Sequence, residues 1–261
     1  MSDVGRVRPH NEDSGFVGPY VALVADGVGG AAAGEIASAT AAYAVSATAL
    51  AHGPDDPERI IASAVEAAVA SIRRGVQGDL NRLGMATTLT ALVCDGSRVV
   101  LGHVGDSRAY HLREGRLTQI SRDHTYVQHL VDAGQLDREA RSRHPWRNVV
   151  LRSLDGDPEG EGVDLVPVAV RTGDRFLLCS DGLTDLVDDV RIAEVLRLQD
   201  PHSAAAVLTH SALLAGGRDN ITCIVLDVVD GPLVVGDGQL LGAVCDIANI
   251  VDPSAVRLGQ P

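Results

Sequence analysis

Residues 20–30, YVALVADGVGG, decide the fold because they join a buried strand to a polar turn. The run YVALVA over residues 20–25 is short and apolar and ends at Asp26-Gly27, which is typical of a buried β-strand. Residues 33–51 follow, and their high alanine content favours a helix. A second helix is predicted over residues 57–74, which begin at a proline and carry apolar residues at helical spacing.

Strands dominate the chain after these helices. Two hairpins are predicted from paired apolar runs around short turns: 86–94 with 98–104, and 108–113 with 117–120. Later strands are predicted at 165–170, 175–180 and 221–229, with helices near 190–198 and 202–215. Because hairpins dominate and helices come in pairs, we expect an α+β fold, an α-β-β-α sandwich of two antiparallel sheets flanked by helix pairs.

Two segments stand apart from this pattern. Residues 124–162 are polar and charged and are predicted to form a small, partly helical flap insertion. Residues 231–261 contain glycine and aspartate without a periodic pattern. We therefore expect one domain over residues 1–230 and a C-terminal tail of unknown role over 231–261.

The composition excludes several classes of protein. The formal charge of −13 repels phosphate backbones and anionic lipids, so nucleic-acid and membrane partners are not expected. The four cysteines show no CxxC spacing, which argues against zinc and disulfides. With no apolar leader and no stretch of roughly 20 apolar residues, a cytoplasmic protein is expected.

Carboxylates recur at the ends of apolar strands, beside glycine or another turn residue. These are Asp26, Asp106, Asp181 and Asp219. A single Asp at such a place most often caps the next backbone segment. Four at the ends of separate strands, with few basic residues nearby, favour a shared positive partner, because a buried carboxylate is costly without one.

The polar segment before the first strand adds Glu12, Asp13 and Arg8. Oxygen ligands without His or Cys favour hard cations such as Mg²⁺, Mn²⁺ or Ca²⁺ over zinc. Two such cations about 3.5–4 Å apart make hydroxide available near neutral pH. Arg8 offers a bidentate fork for a phosphate, and its alternative is a solvated or ion-paired surface residue.

The stretch VALVADGVGGAAAGE, residues 21–35, superficially suggests nucleotide binding. It matches neither GxGxxG nor a P-loop, and Asp26 would repel a pyrophosphate. We expect instead that its glycines let the backbone approach a cation, with the Gly27 carbonyl available as a ligand.

Six short motifs occur in order along the chain. They are Arg8-xxx-Glu12-Asp13, Asp26-Gly27-Val28-Gly29-Gly30, Ala86-Thr87-Thr88, Gly105-Asp106-Ser107-Arg108, Ser180-Asp181-Gly182 and Asp219-Asn220. In this order and spacing they resemble the bacterial branch of the protein phosphatase 2C family, over roughly residues 2–229. The sandwich predicted above is also that family's fold.

The resemblance implies a role for each matching residue. Asp26 bridges two Mn²⁺ or Mg²⁺ ions, and Asp181 and Asp219 complete the first metal site. Glu12 and the Gly27 carbonyl serve the second, while Asp13 orients metal-bound water. Asp106 with Asp181 holds a third, weaker ion, and Arg8 grips the substrate phosphate. The insertion at 124–162 resembles a mobile flap at which substrates are selected.

The sequence departs from the family pattern at three places. Ala86 replaces a glycine that many members have, which is a structural position. Val28 stands where animal relatives carry a histidine proposed as general acid, so the identity of the acid is left open. The chain begins a few residues before the first motif, where the family has a strand, so the first sheet is expected to lack an edge strand or to have it upstream.

The predicted function is metal-dependent hydrolysis of phosphoserine and phosphothreonine on proteins, by direct attack of a metal-bridging hydroxide. Phosphorylated proteins made by Ser/Thr kinases are the expected partners, and the protein is expected to be a monomer. The alternatives are a catalytically inactive regulatory module of the same fold and a hydrolase of small phosphate esters. His124 and Trp146 are excluded from the site, the first as a capping or flap-positioning residue and the second as a packing anchor.

Overall fold

The computed structural model describes residues 1–28, 33–198, 200–232 and 234–254, and these form twelve strands and six α-helices. The strands are β1 Ser2–Asp3, β2 Asp13–Val17, β3 Val21–Val28, β4 Ala86–Thr87, β5 Leu89–Cys94, β6 Val99–Val104, β7 Arg108–Arg113, β8 Arg116–Gln119, β9 Asp164–Val168, β10 Arg175–Cys179, β11 Ile221–Asp227 and β12 Gln239–Gly242. The helices are α1 Gly34–His52, α2 Pro57–Gly78, α3 Tyr126–Asp132, α4 Asp181–Thr184, α5 Asp189–Leu198 and α6 Pro201–Leu214.

The strands form two antiparallel sheets. The first has the order β12-β2-β3-β5-β6-β9, with β4 paired to β3, and the second has the order β1-β11-β10-β7-β8. Both predicted hairpins are confirmed, as β5 with β6 and β7 with β8. The predicted strands at 165–170 and 175–180 also form, but β9 pairs with β6 and β10 with β7 and β11, so the turn between them crosses from one sheet to the other.

Three apolar layers hold the sandwich together. The first packs α1 and α2 onto one face of the first sheet, the second fills the space between the sheets, and the third packs α5 and α6 onto the second sheet. Strand β3 shows why both faces of its apolar run are needed. Val21 and Leu23 point to the helices, whereas Ala22 and Val24 point to the other sheet. The predicted α-β-β-α sandwich is confirmed.

The paired helices begin where local sequence directs them to. Asp56 precedes α2 and accepts a hydrogen bond from the Glu58 backbone N–H, with Pro57 at the first helical position. Asp200 precedes α6 and accepts from the backbone N–H groups of His202 and Ser203. These caps satisfy amide groups that the helices leave without internal partners.

The chain after residue 230 continues the sandwich. Strand β12 pairs with β2, and Ala243, Val244 and Ile250 are buried in the layer beneath α1. The Thr40 hydroxyl accepts a hydrogen bond of 3.0 Å from the Val251 backbone N–H. The boundary at residue 230 stays a prediction, but residues 239–251 pack on the domain rather than trailing from it. The expectation that the first sheet lacks an edge strand is wrong, because β12 pairs with β2 at that edge.

Residues 124–162 form a flap over one end of the sandwich. It contains α3 and a 3-10 helix over Arg138–Arg143, followed by irregular chain. An isolated β-bridge between Thr125 and Val150 connects the two ends of the flap. A second one, between Thr87 and Leu154, connects the flap to β4 of the first sheet.

Candidate metal centre

The pairing of β2 with β3 brings the first two carboxylates together. Asp13 opens β2 and lies directly opposite Asp26 near the end of β3. Asp13 is 0% exposed, and its Oδ2 accepts a hydrogen bond of 2.7 Å from the Ser180 hydroxyl. Its Oδ1 is buried and has no hydrogen-bond partner among the residues that the structure describes. Asp13 therefore lies beneath Asp26, in the wall that supports the site.

The two threonines after Ala86 fix the backbone of Asp26. The Asp26 N–H donates to Thr88 Oγ1 at 2.9 Å, and the Asp26 carbonyl accepts from Thr87 Oγ1 and from the Thr88 N–H, both at 2.9 Å. A buried backbone group must find such partners. The threonines thus hold the carboxylate at the end of its strand.

Gly27 is required by the close approach of α1. A Cβ on Gly27 would lie 2.5 Å from the backbone of Gly34, the first residue of the helix. The Gly27 N–H donates to the Glu12 carbonyl at 3.1 Å, which places Glu12 beside Asp26 and Gly27. Gly29 and Gly30 of the same motif lie outside the described residues.

A tight loop after β6 carries Asp106. Gly105 before it has φ +108°, and a Cβ there would lie 2.4 Å from Thr88 Cγ2, so only glycine fits. His124 holds this loop from the flap through two hydrogen bonds. Its ring Nδ1 accepts from the Gly105 backbone N–H at 3.1 Å, and its backbone N–H donates to the Gly105 carbonyl at 2.7 Å. The predicted flap-positioning role of His124 agrees with these contacts.

The second sheet supplies Asp181 and Asp219. Asp181 is the first residue of α4, directly after β10, and Asp219 precedes β11. Gly182 lets these strands meet, because a Cβ there would lie 1.9 Å from the Asn220 carbonyl oxygen. The Asn220 side chain accepts from the Glu12 N–H at 2.7 Å and donates to the carbonyls of Val4 and His10, both at 2.9 Å. Asn220 thereby anchors the segment that carries Arg8 and Glu12.

These elements converge on one cleft of about 280 Å³ at the end of the sandwich. Its lining includes Arg8, Glu12, Asp26, Gly27, Asp106, Asp181 and Asp219. All of the predicted metal ligands and Arg8 are therefore brought together, and Asp13 lies just behind them. Val28, Asn148 and Val150 complete the lining, the last two from the flap.

The electrostatics of the cleft show how closely the carboxylates are crowded. Burial raises the pKa of Asp26 and of Asp181 well above the usual range, and nearby carboxylates, chiefly Asp13 for Asp26 and Asp106 for Asp181, raise them further. Burial and the charge of Asp123 raise the pKa of Asp106 to about 7. Burial also raises the pKa of Asp13 to about 6, against the hydrogen bond from Ser180. Such groups repel one another when ionised unless a cation lies among them.

Arg8 is the cation that the protein itself supplies. Its Nη2 donates to Asp219 Oδ2 at 2.8 Å, and its Nη1 lies 4.0 Å from Glu12 Oε2. The expectation of few basic neighbours is therefore wrong for Asp219. Among the described residues, no three His, Cys, Asp or Glu side chains enclose a common point closely enough to hold an ion as they are placed.

The donor set nevertheless fits hard divalent cations. It consists of carboxylate and carbonyl oxygens, with no nitrogen or sulfur ligand, which are the ligands of Mg²⁺ and Mn²⁺. The unpartnered Asp13 Oδ1 and the raised pKa values of its neighbours show that positive charge is needed beyond Arg8. Rotating Asp219 away from Arg8 would free its oxygens for such a cation.

Comparison with known proteins agrees with this arrangement. A family model of protein phosphatase 2C matches residues 11–215. Serine/threonine protein phosphatase PstP of Mycobacterium tuberculosis is 45% identical over 234 residues, which cover 88% of this chain and 44% of that protein. Serine/threonine phosphatase stp of Listeria monocytogenes is 35% identical over 237 residues, covering 87% of this chain and 93% of that protein.

A solved structure shows the same fold. The catalytic domain of PstP in complex with two manganese ions has a TM-score of 0.82 and 41% identity, covering 88% of this chain and 96% of the solved chain. This chain spans less than half the length of full mycobacterial PstP. From the matching family model, the relatives and the shared fold, we conclude that the chain belongs to the protein phosphatase 2C family.

Proposed function

We propose that this chain is a metal-dependent protein serine/threonine phosphatase that hydrolyses phosphoserine and phosphothreonine. The observation that carries the proposal is the convergence of five cleft-lining carboxylates with an arginine at their edge. The carboxylates suit divalent cations, and Arg8, with 42% of its side chain exposed, is accessible to a phosphate. The relatives named serine/threonine phosphatases support the same chemistry.

We assign the ligands as follows. Asp26, Asp181 and Asp219 would hold one cation, and Asp26, Glu12 and the Gly27 carbonyl would hold a second. Asp106 with Asp181 would hold a third, weaker ion. The burial of Asp13 behind Asp26, with Ser180 as its donor, supports a role in orienting the site from behind rather than contact with the phosphate.

When bound, Mn²⁺ or Mg²⁺ supplies a hydroxide near neutral pH and offsets the charge of the phosphate. The protein's own part is placement and charge. Arg8 releases Asp219 and forks onto two phosphate oxygens, where it stabilises the charge of the transition state. The proposed route is direct in-line attack of hydroxide on phosphorus without a phosphoenzyme. The new P–O bond forms as the bond from phosphorus to the serine or threonine oxygen breaks, so that inorganic phosphate and the reprotonated side-chain hydroxyl are the products.

Phosphorylated proteins are the proposed partners, because the flap contributes Asn148 and Val150 to the cleft and the relatives are named serine/threonine phosphatases. Within the described residues, no helix is both long and apolar enough to cross a membrane. The monomeric state and cytoplasmic location stay predictions.

The test uses Asp26→Asn with a phosphoserine peptide and p-nitrophenyl phosphate as substrates in Mn²⁺. We expect turnover to fall by about a thousandfold or more, because the bridging carboxylate is lost. The control is Asp237→Asn, an exposed aspartate outside the cleft, which should retain full turnover. Undiminished Mn²⁺-dependent activity in Asp26→Asn would contradict the assignment.

The same assay separates the two alternatives. A regulatory module would show no turnover of any phosphate ester by the unaltered protein. A hydrolase of small esters would favour metabolite phosphates over phosphopeptides at one fixed Mn²⁺ concentration.

A further inference from the structure

An exposed aromatic side chain lies two residues before Asn148, a residue that lines the cleft. Trp146 is the only tryptophan of the chain and is 58% exposed, so its predicted role as a packing anchor is wrong. Val149 and Leu151, a few residues on, are 43% and 53% exposed. We call residues 146–151 the flap strip. Exposed apolar groups gathered on one strip mark a binding surface more often than singly scattered ones do.

The flap strip is held in a defined conformation. The Trp146 ring packs edge to face on Tyr126, with 5.3 Å between the ring centroids, and on His144, with 6.0 Å between the centroids. The Tyr126 N–H donates to the Val149 carbonyl at 2.9 Å, and the Leu151 N–H donates to the His124 carbonyl at 2.8 Å. An aromatic side chain presented by a fixed backbone loses little conformational entropy on binding.

The flap strip is also tied to the helix that bears a candidate metal ligand. Arg147 Nη2 lies 3.3 Å from Asp185 Oδ2, and Asp185 directly follows α4, which begins at Asp181. The position of Trp146 relative to the cleft is therefore fixed by the ion pair of its sequence neighbour Arg147.

The flap strip is continuous with the cleft wall. Asn148 and Val150 line the carboxylate cleft directly. Asn148 also lines a second cavity, which reaches from the flap to Asp106 and Asp181. Its side-chain amide makes no hydrogen bond in the described part of the protein, so it is available to a ligand. A chain lying in the cleft with its phosphate at Arg8 would run past these residues.

We propose that the flap strip, with Trp146 as its anchor, selects phosphopeptides that carry an aromatic or branched apolar side chain within a few residues of the phosphoserine. This proposal rests on the proposed phosphatase function and names the substrate feature that the site prefers. The position and the charge of the surrounding residues both favour such a phosphopeptide. The anionic phosphate is drawn to Arg8, whereas four of the six residues of the flap strip are apolar and suit an uncharged flanking side chain.

A second copy of the chain fits the flap strip less well. Self-association through Trp146 would bring two cleft mouths together, each lined by carboxylates that carry like charge, and would cover the entry to the proposed site. A substrate covers the same apolar area only while it is bound.

The kinetic test compares two phosphoserine peptides, one with phenylalanine or leucine on both sides of the phosphoserine and one with alanine there. For the unaltered protein, we expect kcat/KM to favour the apolar peptide. Trp146→Ala should lower the ratio of kcat/KM for that peptide to kcat/KM for p-nitrophenyl phosphate by about tenfold or more, mainly through KM. Trp146→Phe should recover most of the ratio.

The matched control is Leu198→Ala. Leu198 is 78% exposed at the end of α5, so it tests the loss of an exposed apolar side chain outside the flap strip. Its substrate ratio should equal that of the unaltered protein.

The second readout does not depend on turnover. Because Trp146 is the only tryptophan, its fluorescence reports on the flap strip alone. In Mg²⁺, the apolar peptide with a non-hydrolysable phosphonate in place of the phosphate should shift the emission to shorter wavelength in a saturable way, as the indole leaves water. The alanine peptide with the same phosphonate should produce a much smaller shift.

The outcomes distinguish the two proposals. Turnover of all substrates with equal kcat/KM for both peptides, or an equal loss on every substrate in Trp146→Ala, would overturn the selection by Trp146 and leave the phosphatase function standing. A dimer that dissociates on Trp146→Ala, with the peptide preference intact, would also overturn it. If no phosphate ester is turned over, the phosphatase function fails, and the fluorescence titration alone supports or overturns binding at the flap strip.

Discussion

At the scale of single residues, Arg8 has two incompatible partners. Its guanidinium pairs with Asp219 at 2.8 Å, yet Asp219 is a proposed metal ligand and Arg8 the proposed phosphate ligand. The hydrogen bond to Asp219 also raises the pKa of Arg8, so the side chain stays charged throughout. Arg8 therefore opposes cation binding before it assists phosphate binding.

Replacing Arg8 by alanine should move metal binding and catalysis in opposite directions. Mn²⁺ should bind more tightly to Arg8→Ala, because a competing positive charge is removed and Asp219 is released. At saturating metal, kcat/KM for a phosphopeptide should fall by about ten- to a hundredfold. Calorimetric titration with Mn²⁺ and steady-state kinetics measure the two effects. Weaker Mn²⁺ binding in the variant would contradict the competition.

His103 is a buried titratable side chain away from the cleft. Its Nε2 donates to the Arg122 carbonyl at 3.0 Å, and its Nδ1 lies 3.0 Å from Thr90 Oγ1. Burial, and then the neighbouring His124, lower the pKa of His103 to about 4. The folded protein thus keeps this imidazole neutral at a pH where an unfolded chain would protonate it.

This lowered pKa predicts a loss of stability in acid. The unfolded state binds the proton below about pH 6.5 and the folded state only below about pH 4, so the contribution of His103 is lost as pH falls through that window. Between about pH 7 and pH 5 the loss should be on the order of 2 kcal/mol. Urea unfolding of the unaltered protein and of His103→Gln measures it, because the difference between them isolates the histidine. Parallel stability curves would refute this account.

The carboxylates of the site could be predicted from sequence, but the contacts that hold them could not. Asp26, Asp106 and Asp181 each carry a local signal, namely a carboxylate beside glycine at the end of an apolar run, and Asp219 lies just before such a run. Asn220 holds Glu12, which lies 208 residues earlier in the chain. His124 holds Gly105, which lies 19 residues earlier. No local pattern records such a contact, because it exists only once the two sheets have packed.

At the scale of secondary-structure elements, β12 has the largest consequence for the site. It is the edge strand beside β2, whose first residue is Asp13. Gly242 has φ +75°, and a Cβ there would lie 2.2 Å from the Asp13 carbonyl oxygen. The end of β12 therefore packs directly on the backbone of a residue that supports the metal ligands.

Gly242→Ala should destabilise the protein by more than 2 kcal/mol and weaken Mn²⁺ binding. The cost combines a positive-φ backbone, with ψ −144°, that is essentially restricted to glycine, about 1–3 kcal/mol, with a clash against β2. Gly53→Ala is the matched control, because Gly53 has a similar backbone, φ +68° and ψ −158°, but open space around its Cβ position. That variant should lose only the backbone cost of about 1–3 kcal/mol and bind Mn²⁺ normally. Urea unfolding and Mn²⁺ titration of both variants check the difference, and equal losses would contradict it.

Elements with strong local patterns were predicted, and those that depend on distant partners were not. The hairpins of β5 with β6 and β7 with β8 carry both alternation and turn residues. Strand β12 has only four residues, QLLG, and pairs with a strand more than two hundred residues earlier. Its short sequence becomes a strand because β2 leaves backbone groups to be paired.

At the scale of the whole molecule, the formal charge is −13, and five of the 35 acidic side chains line the cleft. The cleft gathers carboxylates whose pKa values are raised, among them Asp13 to about 6 and Asp106 to about 7. A carboxyl whose folded pKa is raised stabilises the protein below its unfolded pKa, and this contribution is lost as pH rises through the folded value. Ionising the cleft therefore destabilises the metal-free protein.

We expect metal-free protein to lose stability between about pH 4, near the unfolded pKa of these carboxyls, and about pH 7, the folded pKa of Asp106, and saturating Mg²⁺ to remove that loss. The sign follows from the raised pKa values, because the folded state releases its protons at higher pH than the unfolded chain. Thermal unfolding in EDTA and in Mg²⁺ across this range provides the measurement. Stability that rises steadily with pH in EDTA would show that the carboxylates do not repel one another as described.

The position of β12 also sets when the site can form during synthesis. Glu12, Asp13 and Asp26 leave the ribosome well before Asn220 and β12, which hold them and lie about two hundred residues later in the chain. An incomplete chain therefore carries the carboxylates without the frame that gathers them. Because such distant pairings close slowly, the nascent protein should remain without cation affinity until β12 has docked.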